Sequence, residues 1–163
     1  MNVRIRPMTV ADLDQVHRID VISFTLPWSE RSFRYELTNN PAARLWVAEV
    51  TEEPHQGLVV AMLVMWFIID EVHIATIAVH PEWRQSGIGR RLLATALLAA
   101  QEEGAIKAFL EVRRSNTPAQ EMYRRFGFEI AGVRPRYYKD NMEDALLLNL
   151  DELDEALLKR LAQ

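Results

Sequence analysis

The chain contains no cysteine. That excludes disulfides, thiolate metal sites and cysteine nucleophiles, and it fits a reducing, cytoplasmic setting. No apolar run reaches the ~18–20 residues that a membrane-spanning helix needs; the longest covers residues 58–69. Apolar and charged residues already alternate at Val3-Arg4-Ile5-Arg6, so the start reads as structure and no secretory h-region is expected. Basic charge is not in excess, since 19 Lys and Arg stand against 23 Asp and Glu for a net charge of −4. That balance argues against an unspecific nucleic-acid binder, which requires a basic surface. His17, His55 and His80 look incidental, and no cluster has the spacing of metal ligands. No repeat, low-complexity tract or linker divides the 163 residues, so one domain over residues 1–163 is expected.

What is present is a regular alternation of elements. Residues 3–6, 45–50, 58–69, 72–79, 106–112, 128–138 and 145–150 read as strands, with 58–69 buried on both faces. A capping box from Thr9 to Asp12 opens a helix with Leu13, Val16, Ile19 and Ile22 on its apolar stripe. Ser29 caps a second helix, with Trp28 and Phe33 placed as a hydrophobic staple. A long helix over 90–103 carries Leu92, Leu93, Ala96, Leu97 and Ala100 and stops at Gly104. Thr117 reads as the N-cap of a fourth helix, with Pro118 at its first position and Gly127 at its end. Asp151 reads as the cap of a last one, an extra C-terminal helix over 151–163. That helix would cover a sheet edge or join two copies through its leucines, which leaves monomer and homodimer both open. The fold class is mixed α/β (α+β): one mixed, mostly antiparallel sheet with helices on both faces.

The stretch Arg84-Gln85-Ser86-Gly87-Ile88-Gly89 joins a strand to a helix N-terminus. Glycines let a ligand approach the backbone, unpaired N–H groups face it, and Arg84, Arg90 and Arg91 add positive charge. The pattern lacks the last glycine of a dinucleotide fingerprint and the Lys-Ser/Thr of a P-loop. Alone, it describes an anion site or simply a tight turn.

This loop resembles the pyrophosphate loop of the GCN5-related N-acetyltransferases, and the element order is similar along almost the whole chain. Leu110-Glu111-Val112-Arg113-Arg114-Ser115-Asn116 and Met122-Tyr123-Arg124-Arg125-Phe126-Gly127-Phe128 resemble the protein N-terminal acetyltransferases of that family. So does Arg136-Tyr137-Tyr138 followed by Glu143-Asp144-Ala145. Pro27-Trp28-Ser29-Glu30 is similar to bacterial members that act on the N-terminal alanine of a ribosomal protein. The resemblance implies acetyl-CoA as cosubstrate, without a metal. It puts the pyrophosphate on Arg84, Gln85, Ser86, Gly87, Ile88, Gly89 and Arg90. It lays the pantetheine arm along the backbone of Ile77, Ala78 and Val79, with the Val79 N–H as oxyanion donor. Asn116, just before the expected cap, would be free to reach the coenzyme.

Acetyl transfer to an amine needs a neutral nucleophile, a donor for the developing oxyanion and a proton for the departing thiolate. The resemblance assigns Glu111 as base and Tyr123 as proton donor, with His73 as a second base. Each has a plain alternative: Glu111 paired at the surface with Arg113 or Lys107, Tyr123 packed in its helix stripe, His73 as a core or edge histidine. The substrate would enter past Leu26, Tyr137 and Tyr138. The expected partner is a protein or peptide N-terminus, a ribosomal protein in the bacterial relatives. A small-molecule amine acetyltransferase and a non-catalytic coenzyme-A-binding module remain the alternatives.

Overall fold

A computed structural model describes residues 2–163; Met1 lies outside them. Seven strands form one sheet in the order β1-β2-β3-β4-β5-β7-β6. They are β1 Val3–Pro7, β2 Ala43–Val50, β3 Val59–Ile68, β4 Glu71–Val79, β5 Lys107–Arg113, β6 Glu129–Tyr138 and β7 Glu143–Leu150. Every neighbouring pair is antiparallel except β4 and β5, which are joined through a helix and run parallel. Five helices, α1 Leu13–Ser23, α2 Glu30–Asn39, α3 Ile88–Glu102, α4 Thr117–Phe126 and α5 Glu155–Leu161, cover the two faces. Among the described residues no helix is long and apolar enough to cross a membrane.

The sheet has a core on each side. On one face α3, α4 and α5 bury Leu92, Leu93, Leu97, Tyr123, Phe126 and Leu158 against the strands. On the other, Leu13, Val16 and Ile19 of α1 and Phe33 of α2 pack on Val47, Met62 and Val64. Central strand β3 is buried continuously over residues 59–65, as its unbroken apolar run requires. The run ends at Ile69, which is 90% exposed at a turn with φ +61°. Ser29 caps α2 by accepting the Ser32 N–H at 3.1 Å, and the Trp28 and Phe33 rings lie 5.1 Å apart.

Four local expectations are corrected. The Thr9 N–H donates to Asp12 Oδ2 at 2.8 Å, but the turn this closes, Val10–Asp12, is 3-10 and α1 begins only at Leu13. Ile22 is exposed, outside the α1 stripe. The last helix is capped by Asp154, whose carboxylate accepts the Leu157 N–H at 3.2 Å, while Leu153 is buried before the helix starts. The α4 cap is Asn116 rather than Thr117, because the Asn116 Oδ1 accepts the Ala119 N–H at 3.3 Å. Helix α5 packs on α3, and its Leu158 and Leu161 join the core on that face.

Phe33 is fully buried and supports Trp28 from below. Phe33→Ala is expected to lower unfolding stability by about 3–5 kcal/mol, read by chemical denaturation.

Candidate active site

The site originates where the two parallel strands part. β4 and β5 keep register from Glu71↔Lys107 to Ile74↔Leu110 and no further. At that point β4 carries a bulge: Met65 pairs with Ile74 but Val64 with Thr76, leaving Ala75 unpaired. Beyond it β4 follows β3 while β5 follows β7. The edges facing each other, residues 75–79 and 111–113, have no strand partner, and a cleft opens between them. Two connected hollows share Ser23, Phe24, Ile77, Asn116 and Tyr123.

One hollow leads to the glycine loop. Gly87 is the α3 N-cap at φ +81°, a conformation that suits glycine, and Gln85 is also left-handed at φ +62°. The first helical bond runs from Arg91 N–H to Gly87 O, so the N–H groups of Ile88, Gly89 and Arg90 have no helical acceptor. A Cβ on Gly89 would meet Val79 Cγ2 at 3.4 Å, which shows how closely the loop sits on β4. The arginines are less free than their spacing suggests. Arg84 Nε donates to Val79 O at 2.9 Å, and Arg90 Nη1 donates to Leu161 O at 2.6 Å, tying α5 to the loop. Arg91 reaches Val3 O at 3.2 Å and does not line the hollow. Ser86 Oγ donates to Trp83 O at 2.6 Å. Arg125 of α4 lines the hollow instead, and sequence reasoning missed it. The signal existed: Pro118, Met122 and Arg125 recur on one helical face. Unpaired N–H groups, a helix N-terminus and three arginines fit a pyrophosphate-bearing ligand.

The other hollow is lined by two of the candidate catalytic groups, Glu111 and Tyr123, while the third, His73, does not line it and meets it only through Glu111. Glu111 Oε2 lies 2.7 Å from His73 Nε2. That contact holds the Glu111 carboxyl below its ordinary value, against burial, which pushes it up. Ionised Glu111 only accepts, so His73 Nε2 carries the hydrogen. The His73 ring stacks on Phe109 at 4.6 Å and 11° and tilts against Trp66 at 5.3 Å. The plainer pairings of Glu111 are absent, since Lys107 bonds Glu71 at 3.0 Å and Arg113 bonds Asp140 at 2.8 Å and Glu143 at 3.3 Å. Tyr123 is buried, edge-on to Phe128 at 5.7 Å, and borders both hollows. Burial pushes its phenol well above the ordinary value, keeping it a neutral donor. Tyr123 thus takes the packed position of its helix stripe while still bordering both hollows.

Other expectations separate here. Leu26 and Tyr138 line the second hollow, but Tyr137 does not. Tyr137 stands edge-on to Tyr138 at 5.1 Å, outside it. The Arg113 guanidinium lies 4.0 Å from the Tyr138 ring centre, and burial pushes the Tyr138 phenol up to about 12. Ile77, Ala78 and Val79 border the loop hollow. Asn116 lines both hollows; its Oδ1 accepts the capping bond, and its amide NH2 remains to donate to a ligand. Thr25 Oγ1 donates to Asp140, joining the segment after α1 to the β6–β7 turn. Asp20, which the sequence did not single out, is 1% exposed in the wall of the second hollow. Burial raises its carboxyl to about 6.

Comparison with known proteins gives a consistent picture. The family model described as the acetyltransferase (GNAT) family matches residues 13–128. A Bacillus subtilis (strain 168) protein with the provisional name ribosomal protein bS18-alanine N-acetyltransferase is 39% identical over 144 residues, 88% of this chain and 92% of its own. The Escherichia coli (strain K12) ribosomal protein bS18-alanine N-acetyltransferase is 30% identical over 148 residues, 90% of this chain and 95% of its own. The crystal structure of the ribosomal-protein-S18-alanine N-acetyltransferase from Escherichia coli superposes with a TM-score of 0.81 at 27% identity. It spans 94% of this chain and 96% of that one. Arabidopsis thaliana NAA60 in complex with acetyl-CoA shares the fold, with a TM-score of 0.80 at 18% identity over 91% of this chain and 98% of its own.

Replacing His73 by Leu keeps bulk between Trp66 and Phe109 but removes the donor to Glu111. With burial then acting largely alone, the Glu111 pKa is expected to rise, measured by carboxyl-carbon NMR titration. The sign follows from linkage. A carboxyl depressed in the folded state contributes stability above its unfolded value of about 4.3 and loses it as pH falls through the folded value. Acid unfolding of the variant therefore begins at higher pH.

Proposed function

This chain belongs to the acetyltransferase (GNAT) family and is an acetyl-CoA-dependent N-acetyltransferase, and we propose that it acetylates the N-terminal α-amino group of a protein, with the N-terminal alanine of ribosomal protein bS18 as substrate. The names of the B. subtilis and E. coli relatives, matched over nearly their full length, support the substrate. The single observation that carries the mechanism is Glu111, in the wall of a cleft that Tyr123 connects to the glycine loop, with His73 bonded to it from behind that wall.

Acetyl-CoA supplies the activated acetyl carbonyl and the thiolate leaving group. The N–H groups of Ile88, Gly89 and Arg90 at the α3 N-terminus, with Arg84, Gln85, Ser86, Gly87 and the Arg90 side chain around them, hold the pyrophosphate. The free edge of Ile77, Ala78 and Val79 holds the pantetheine arm, and the amide of Asn116 adds a donor. The Val79 N–H faces the developing oxyanion. Glu111 takes the proton that the amine loses as it attacks, and His73 keeps the carboxylate ionised and oriented. The neutral Tyr123 phenol gives its proton to the departing sulfur and regains one from solvent. Leu26 and Tyr138 shape the acceptor side, with Tyr137 supporting Tyr138 from outside.

An α-amine suits this base better than a lysine does. A carboxyl held low is a weak base, so each unit of amine pKa adds to the uphill transfer. Reference values of ~7.8 for an α-amino group and ~10.4 for lysine differ by about 2.6 units, roughly 3.5 kcal/mol in favour of the α-amine.

Two measurements test this reading. Incubated with acetyl-CoA and a panel of amines, the protein is expected to acetylate a peptide with the bS18 N-terminus. It should act on that peptide in preference to lysine side chains, polyamines, aminoglycosides and free amino acids. Transfer to a small amine and to no peptide would overturn the substrate, and coenzyme binding without any transfer would overturn catalysis. Glu111→Gln is expected to reduce kcat by about 10²–10⁴-fold at neutral pH with the acetyl-CoA Kd unchanged. An unchanged rate removes Glu111 from the role of base.

A further inference from the structure

Asp20 sits in the last turn of α1 with almost no exposure. One carboxylate oxygen, Oδ2, accepts the Trp28 N–H at 2.6 Å, closing the segment 20–28 that carries Phe24, Leu26 and Trp28 into the acceptor cleft. The other oxygen, Oδ1, is buried and has no hydrogen-bond partner among the described residues. A buried acceptor left unpaired costs on the order of 1–3 kcal/mol, more if charged, so its retention in a cleft wall asks for a ligand.

The charges of the cleft say which ligand. Arg113 is the one cation in the lining, and it is held between Asp140 and Glu143. Glu111 already has His73. Asp20 is the only carboxylate of the lining without a cationic or imidazole partner within salt-bridge distance among the described residues. A carboxylate accepts and does not donate, so its complement is an N–H, best a charged one. Asp20 therefore adds an unpaired acceptor to the wall of the hollow that Glu111 also lines.

We propose that Asp20 is the amine-recognition residue of the acceptor cleft, its free oxygen taking an N–H of the acceptor's cationic amino end while its other oxygen fixes the loop through Trp28. This rests on the reading of the chain as an acetyltransferase whose amine enters beside Glu111. Recognition then precedes deprotonation: Asp20 selects a cationic amino terminus, one proton of that ammonium passes to solvent, and Glu111 receives a second from the now neutral amine as it attacks.

Asp20→Asn separates the two roles of the side chain. The amide oxygen still accepts the Trp28 N–H, but the second atom becomes an NH2 donor that opposes an incoming N–H. The experiment compares the Kd of a bS18 N-terminal peptide with that of the same peptide already acetylated, in wild type and in Asp20→Asn. The melting temperature and acetyl-CoA Kd serve as controls for folding. Wild type is expected to prefer the free amine. In Asp20→Asn that preference should shrink about tenfold, with peptide KM rising and kcat at saturation changing little. Asp20→Glu, which keeps the charge, should keep the preference; this variant also serves if the Asn substitution fails to fold. An equal preference in wild type and Asp20→Asn overturns the proposal, as does loss of preference in Asp20→Glu. Absence of any peptide acetylation by wild type would instead sink the functional reading on which it rests.

Discussion

Two parallel strands share four register pairs, and then the Ala75 bulge turns one of them away. Everything functional in this chain depends on that divergence. A sheet interior normally satisfies its N–H and C=O groups across every neighbour. Where β4 and β5 part, residues 75–79 of one and 111–113 of the other lose strand partners on their facing edges. The gap exposes a polar backbone edge in a molecule whose sheet carries a core on each face. Such an edge is a template for an extended ligand, and the glycine loop at its end is a template for an anion. The parallel crossover through α3 brings both to the same opening, because α3 starts where β4 stops.

The chemistry is set by which charges are paired and which are not. Arg113 is consumed by Asp140, Glu143 and the face of Tyr138, so it shapes the cleft wall rather than neutralising Glu111. Glu111 is left with His73, whose ring is clamped by Phe109 and Trp66 along adjacent strands. Stacked rings on β3, β4 and β5 thus hold one hydrogen bond in place. The same burial that fixes Tyr123 keeps its phenol protonated.

The segment between α1 and α2 is tied at both ends of its arc. Asp20 holds it at Trp28, and Thr25 meets Asp140 of the β6–β7 turn. Phe33 and Ser29 secure the start of α2 behind it. The acceptor wall is therefore a loop with a rigid base, an arrangement that can vary in sequence without disturbing the sheet.

Local patterning was legible in the sequence. The periods of Leu92 to Ala100 and of residues 106–112, the Ser29 cap and the Gly87 turn depend on near neighbours, and each formed as their residue types dictate. So did the mixed, mostly antiparallel sheet, which follows from hairpins and one crossover. Cap positions failed where a second capping residue type lay within three positions, as at Asn116 and Thr117 or Asp151 and Asp154, because backbone angle selects between residues of equal capping ability. The sequence also placed Glu111, Tyr123 and His73 among the candidates, through resemblance rather than spacing. What it could not contain is which charges meet. His73 and Glu111 are 38 residues apart, Thr25 and Asp140 are 115 apart, and Asp20 had no local mark at all. Pairing, burial and the unpaired oxygen of Asp20 are properties of strands brought side by side, and only the tertiary structure decided them.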